Sequence, residues 1–170
     1  FALEPKALGT VTLTGAIEGA IGAPTGTLSL TSDTVRWRHL RTGQLTAHVA
    51  ATTQALTFDP VALTLADGTV DMRGQLMFDP PRVTANVAWD HLQAADLAGP
   101  YAPTPIAARL SGRGEIGADL SEGLSGLNVT AEVRADAGRD THRAVGVDGT
   151  LSLTVAQGEW RLHHAHNLSD

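Results

Sequence analysis

The chain has 170 residues, a formal net charge of −6, 42% hydrophobic and 18% charged residues, and only 4% aromatic ones. It is long enough for one sizeable core or a run of repeats, and too hydrophobic for general disorder. The single lysine is Lys6 and there is no cysteine, so the chain lacks a cationic cluster for nucleic acid, a disulfide framework, a thiolate metal site and a cysteine nucleophile.

Apolar residues fall on alternate positions along most of the chain, the mark of one-sided β-strands. Val11, Leu13, Gly15 and Ile17 give the first alternation, and Gly22-Ala23-Pro24-Thr25-Gly26 reads as a turn cluster before a second strand that begins at Leu28 and Leu30. Val35 and Trp37 alternate with Arg36 and Arg38 in a third strand, ended by Arg41-Thr42-Gly43. Leu45, Ala47 and Val49 share one face of the next, with Thr46 and His48 on the other. Leu56 and Phe58 close a further strand at Asp59-Pro60, where the proline sets a turn and removes a ladder donor. Val61, Leu63 and Leu65, then Val70, Met72, Leu76 and Phe78, form two one-sided strands hinged at Asp67-Gly68, a dipeptide that tolerates the positive φ of a tight hairpin.

Phe78-Asp79-Pro80 echoes Phe58-Asp59-Pro60, as expected if two strands and a turn intervene before the same sheet edge is reached again. Val83, Ala85, Val87 and Trp89 alternate cleanly, and Asp90 to Leu97 has room for one helical turn. The irregular stretch Gly99-Pro100-Tyr101-Ala102-Pro103-Thr104-Pro105 divides the chain into a unit over 1–98, a Pro-rich junction over 99–105 and a second, truncated unit over 106–170. The second unit alternates through Ile106, Ala108 and Leu110, then Leu127, Val129, Ala131 and Val133, then Leu151, Leu153 and Val155, and finally Trp160, Leu162 and His164. Leu13-Thr14-Gly15-Ala16-Ile17-Glu18-Gly19 resembles Leu110-Ser111-Gly112-Arg113-Gly114-Glu115-Ile116, and Gly43-Gln44-Leu45 resembles Gly149-Thr150-Leu151, which suggests a degenerate repeat of about a hundred residues. Phe1-Ala2-Leu3-Glu4-Pro5 has no signal-peptide profile and no apolar run is long enough to span a bilayer, so the chain reads as a piece of a longer protein.

Roughly a dozen short strands with turn signals every 8–12 residues predict an all-β fold. Two geometries satisfy the one-sided pattern. In a sandwich, two sheets cover each other's apolar faces. In an elongated, curved antiparallel sheet, a half-open hydrophobic groove is left, with at most one short helix beside it. The scarcity of aromatic residues favours the groove, whose lining is Leu45, Val49, Leu56, Phe58, Leu63, Leu65, Val70, Met72, Leu76, Phe78, Val83, Val87, Trp89, Leu127, Val129, Val133, Leu151 and Leu153.

Chemistry-bearing residues are present without a catalytic pattern. Ser, His and Asp occur, yet there is no Gly-x-Ser-x-Gly elbow, and no enzyme and no cofactor is expected. In His163-His164-Ala165-His166 a strand puts His164 and His166 on one face, a weak candidate metal pair with no third ligand of known position. Arg36, Arg38 and Arg41 around Trp37 read as a solvated strand face that keeps edges apart rather than a head-group site. Asn128-Val129-Thr130 matches a glycosylation acceptor inside a buried-looking alternation. Glycines 15, 19, 22, 26, 43, 68, 74, 112 and 114 read as turn, bulge and curvature positions. Trp37, Trp89 and Trp160 read as rim or core anchors.

Four stretches taken together resemble the middle of a TamB-type protein of the AsmA-like group. They are Leu-x-Gly-x-x-x-Gly at 13–19, Leu56-x-Phe58-Asp59-Pro60-Val61-x-Leu63-x-Leu65, Trp89-Asp90-His91-Leu92 leading to Asp96-Leu97, and Leu110-Ser111-Gly112-Arg113-Gly114-Glu115. The resemblance implies a periplasmic segment of an inner-membrane-anchored protein that bridges the two membranes of a Gram-negative envelope. It further implies a groove for phospholipid acyl chains and a part in outer-membrane protein and autotransporter assembly, with a TamA- or BamA-like outer-membrane partner engaged through a C-terminal part outside this segment. The rival expectation is a ligand-free β-sandwich or β-solenoid module, such as part of an adhesin.

Overall fold

A chain that alternates with a period of two over most of its length satisfies its backbone hydrogen bonds strand against strand. The structure, a computed structural model, describes residues 7–8, 10–33, 35–37, 40–65, 67–98, 106–137, 145–146, 149–156 and 159–165. Its strands are β1 (Ala7–Leu8), β2 (Thr12–Ala20), β3 (Ala23–Ser32), β4 (Val35–Trp37), β5 (Leu40–Ala51), β6 (Ala55–Leu65), β7 (Gly68–Phe78), β8 (Pro81–Gln93), β9 (Ile106–Asp119), β10 (Leu127–Ala137), β11 (Val145–Gly146), β12 (Gly149–Ala156) and β13 (Glu159–Ala165). A five-residue helix, α1 (Ala94–Ala98), follows β8, and a 3-10 segment (Leu120–Gly126), interrupted at Gly123, joins β9 to β10.

The fold is one open, curved antiparallel sheet with ten long strands in the order β2-β3-β5-β6-β7-β8-β9-β10-β12-β13. The short β4 takes the other end of β5's edge beside β3, and β1 pairs with β4. The two-residue β11 runs parallel to the start of β9. Nearly every long strand therefore pairs with its neighbour in sequence. Strands on either side of the 99–105 stretch are themselves paired, from Arg82↔Asp119 to Gln93↔Arg109. The Pro-rich junction itself lies outside the described residues.

Several local expectations are corrected. Asp59-Pro60 is not a turn: β6 runs through it as a β-bulge, with Phe58 opposite Gly74 and Val61 opposite Met72. The extra residue changes which sequence parity faces which side, so Leu56 and Phe58 share a face with Val61, Leu63 and Leu65. The turn before β6 is made instead by Thr52, whose hydroxyl oxygen accepts from the N–H groups of Gln54 (3.2 Å) and Ala55 (3.1 Å). The β2–β3 turn is Ile21-Gly22, and β3 already includes Pro24 and Gly26. Pro24 lies beyond the last β5 partner, where β3 has a ladder neighbour on one side, a position where a missing donor is tolerated. The β6–β7 hairpin at Asp67-Gly68 is as expected, with the positive φ on Asp67 (59°) and Gly68 already paired with Leu65. Leu40 to Ala51 is one strand through Arg41-Thr42-Gly43, with a β-bulge at Gly43-Gln44 where the register shifts between Thr42↔Leu65 and Leu45↔Leu63. The helical turn starts at Ala94, because β8 carries a bulge of its own at Asp90-His91 and continues to Gln93.

Burial is thin. Among the described residues no large side chain is fully buried, and the buried apolar residues are Ala47, Ala55, Leu92, Ala94 and Ala108. Three of these, Leu92, Ala94 and Ala108, form a small plug where α1 closes over the ends of β8 and β9. The β8 bulge brings Leu92 there. His91 adopts a φ of 56°, its N–H donates to the Ser111 hydroxyl oxygen (3.1 Å), and that hydroxyl donates to Asp90 Oδ1 (2.9 Å).

Candidate functional site

Cross-strand partners in an antiparallel ladder point to the same side, so the register assigns every residue to a face. One row reads Leu13, Leu30, Ala47, Val61, Met72, Val87, Gly114, Ala131, Leu153, Leu162 across all ten long strands without a polar side chain. The row beside it reads Gly15, Leu28, Val49, Phe58, Gly74, Ala85, Ile116, Val129, Val155, Trp160. A third runs Leu45, Leu63, Val70, Trp89, Gly112, Val133, Leu151 and reaches His164. At about 4.8 Å per strand, a ten-strand row is on the order of 43 Å long.

All the residues expected to line the groove lie on this one face. Leu56, Leu76, Val83 and Leu127 form a further row, Phe78 sits at its margin opposite Pro81, and Leu65 lies at the opposite end of β6. Most are half-buried by one another, whereas Phe78 and Leu151 are exposed. Leu13, Ile17, Leu28, Leu30, Val61, Ala85, Ile116, Ala131, Val155, Trp160 and Leu162 belong to the same surface and were not assigned to the lining from sequence. Their alternation was visible, but joining strands into one face requires the register and the bulges at Gly43-Gln44, Asp59-Pro60 and Asp90-His91.

The glycines on this face have one job in common. Gly15 stands opposite Leu28, Gly26 opposite Ile17, Gly68 opposite Leu65, Gly74 opposite Phe58, Gly112 opposite Trp89 and Gly114 opposite Val87. The sequence reading took all six for turn, bulge and curvature positions. Apart from Gly68, which starts its strand, they are mid-strand and leave room for a large cross-strand neighbour. At Gly74 a Cβ would fall 2.6 Å from the Thr84 carbonyl oxygen and 3.0 Å from the Ala85 Cβ.

Among the described residues no second layer covers the apolar side. Strands touch their ladder neighbours, α1 or the 3-10 segment, and among the described residues no second sheet stacks on the face. The opposite side is polar, and several of its charges are paired across or along strands. Arg113 donates to Glu132 Oε2 from Nε (3.2 Å) and Nη2 (3.0 Å), Arg73 lies 2.9 Å from Asp59, and Arg134 donates to Asp136 (3.0 Å). These are solvent-exposed pairs and each contributes little. An open depression of about 1000 Å³ on this polar side is bordered by Asp71, Arg73, Asn86, Arg113, Glu115 and Glu132. A twisted sheet is saddle-shaped, so each face has a concave diagonal.

The other candidates are placed as follows. His163 and His164 point to opposite faces of β13, beside Ser152 and Leu151 respectively, and both are exposed. His166 lies outside the described residues, among which no cluster of three His, Asp or Glu side chains could hold a metal ion. The side chains of Arg36, Trp37, Arg38 and Arg41 also lie outside the described residues. Trp160 is 72% exposed at the end of its row, while Trp89 is half-buried in the middle. Asn128 is exposed on the polar face and donates to the Gly126 carbonyl (3.4 Å). Asp90 is held below the usual aspartate range by hydrogen bonds from Ser111 and then His91, and Asp119 by the hydroxyl and N–H of Ser121 and by Arg82.

Comparison with protein-family models, with curated proteins and with solved structures gives no match. The site is therefore defined by its own geometry: a broad apolar surface, continuous over ten strands, with no titratable group inside it among the described residues except His164 at one end.

Proposed function

We propose that this chain is a periplasmic segment of a TamB/AsmA-like protein, and that its uncovered apolar face carries phospholipid acyl chains between the inner and outer membranes of a Gram-negative envelope. The observation that carries the reading is the unbroken row from Leu13 to Leu162, with no second sheet facing it among the described residues. An apolar surface of this extent needs an apolar cover, and an acyl chain gains roughly 0.8 kcal/mol per CH2 removed from water. The row is made of similar small and medium side chains, so the affinity changes little from strand to strand. A chain can then move along it without meeting a deep trap, while the head group stays in water beyond the margin. The same surface suits transient shielding of apolar segments during outer-membrane protein and autotransporter assembly, with a TamA- or BamA-like partner. No step in this work requires covalent chemistry, and the reading assigns no catalytic residue or cofactor.

The test is native mass spectrometry with lipid extraction on the protein expressed in a bacterial periplasm. Phospholipid is expected to co-purify with the wild type and to be lost in Met72→Asp, which alters the middle of the row, without loss of the β circular dichroism signal. A lipid-free wild type that binds no added phospholipid would overturn the proposal and favour a ligand-free structural module.

A further inference from the structure

Within the three apolar rows the side chains that carry a polar hydrogen are Trp89 and, on the last described strand, Trp160 and His164. Trp89 belongs to β8, which has a ladder neighbour on each side, β7 through Val70 and β9 through Gly112. Its indole lies along β9: a Cβ on Gly112 would be 2.8 Å from Cε2, the carbon that bears Nε1, and a Cβ on Gly114 would be 3.6 Å from Cζ3. The N–H therefore sits at the Gly112 end of the ring. Among the described residues it has no hydrogen-bond partner, and no buried side-chain polar atom is left unpaired, so this N–H reaches the open surface.

We infer that the Trp89 N–H is a station for the ester carbonyl of a diacyl glycerolipid, an inference that rests on the lipid-carrying function proposed above and names the chemical class it selects. When acyl chains cover the face, water leaves the indole, and a donor left without an acceptor costs free energy. The protein supplies no acceptor. The backbones of β8 and β9 are engaged in ladders on both sides, and Val70, Val87, Gly112 and Gly114 around the ring carry no acceptor side chain. The acceptor must come with the ligand. An acyl ester brings a carbonyl oxygen and no N–H, which matches a side chain that only donates. A peptide segment would bring N–H groups as well, and this part of the face has nothing to accept from them.

The strand also sets the direction of the acyl chains. From Trp89 back to Pro81 the face continues through Val87, Ala85 and Val83, about 27 Å at about 3.4 Å per residue. That exceeds the roughly 15 Å of hydrocarbon in one leaflet, half of a bilayer core. In the other direction the apolar room ends at once, at the plug of Leu92, Ala94 and Ala108 under α1 and at the exposed Asp90-His91 pair. An ester at Trp89 therefore has its chains over Val87 to Val83 and its head group toward the margin at Asp90 and His91. One neutral hydrogen bond gives a shallow preference, so the lipid remains free to pass to the next strand.

The test pairs dipalmitoyl phosphatidylethanolamine with its dihexadecyl ether analogue, which keeps the head group and chain length and lacks both carbonyls. Delivered from detergent micelles and measured by native mass spectrometry, the ester lipid is expected to bind about fivefold tighter than the ether. Trp89→Phe keeps a ring over Gly112 without the N–H and is expected to bind the two equally. A second readout needs no change at Trp89. In isotope-labelled protein its indole proton resonance, assigned by elimination in Trp37→Phe and Trp160→Phe, is expected to move downfield with the ester and not with the ether. Equal binding of the two lipids by the unmodified protein, or an ester preference that survives in folded Trp89→Phe, would overturn the inference and leave lipid carriage standing. So would a downfield shift produced by an unfolded outer-membrane-protein segment and not by the ester lipid. Binding of neither lipid would overturn lipid carriage and the inference with it.

Discussion

Gly112 stands directly across the β8–β9 ladder from Trp89, and a Cβ built at 112 would lie 2.6 Å from the indole Cζ2 and closer still to the Glu132 carbonyl oxygen. The indole lies over the backbone of the neighbouring strand in space that any side chain at 112 would need. Gly112→Ala is expected to destabilise by about 1–3 kcal/mol through overpacking. Gly114→Ala is expected to cost less, because its nearest atoms are the Thr130 carbonyl oxygen at 3.1 Å and the Ala131 Cβ at 3.5 Å. Urea denaturation of both variants checks the order.

The open face and the plug beneath α1 should respond differently to a carboxylate. Leu92→Asp places the charge where the side chain is 7% exposed, and a loss of about 3–5 kcal/mol is expected. Met72→Asp leaves the charge in contact with water on the uncovered face, and the expected loss is on the order of 1–2 kcal/mol. Thermal or urea unfolding of the pair measures the difference. A loss at Met72 equal to that at Leu92 would mean that something covers the face.

The bulge at Asp59-Pro60 makes a sharp prediction about length. Deleting Pro60 removes the extra residue, so either Leu56 and Phe58 or Val61, Leu63 and Leu65 must turn to the polar side. The deletion is expected to abolish the cooperative transition of this half of the sheet, whereas Pro60→Ala keeps the count and is expected to retain it. Chemical-shift dispersion of the two variants distinguishes the outcomes.

How much of this was legible beforehand follows from these same residues. The alternation of Val70, Met72 and Leu76 or of Val83, Val87 and Trp89 is a local property and announces strands, a one-sided sheet and its apolar residues directly. The Asp59-Pro60 bulge was readable only as a parity change, from even apolar positions at 56 and 58 to odd ones at 61, 63 and 65. A proline flanked by aspartate suggests a turn more strongly than a bulge, and that local chemistry prevailed. The role of Gly112 was hidden for a different reason, since nothing near it in sequence discloses that Trp89 lies across the ladder. The β8 bulge depends likewise on Ser111, twenty positions beyond His91.

Acid should loosen the β8 bulge. Asp90 is held below the usual aspartate range, first by Ser111 and then by His91, so its folded-state pKa lies below the unfolded value near 3.8. The stabilisation is present above the unfolded value and is lost as pH falls through the folded one. Ser111→Ala removes the largest cause. On going from about pH 6 to about pH 3, the melting temperature of the wild type is therefore expected to fall further than that of Ser111→Ala. Parallel melts of the two proteins provide the check.

Because nearly every strand touches only the strands before and after it, cohesion here is a chain of nearest-neighbour couplings rather than a shared interior. The free energy then approximates a sum over adjacent ladders, as in stacked-repeat architectures. Hairpins can be added to or removed from such a sheet without repacking a common centre. Loss of order would begin at the two outermost strands and advance inward, with β7, β8 and β9 the last to exchange their amide hydrogens.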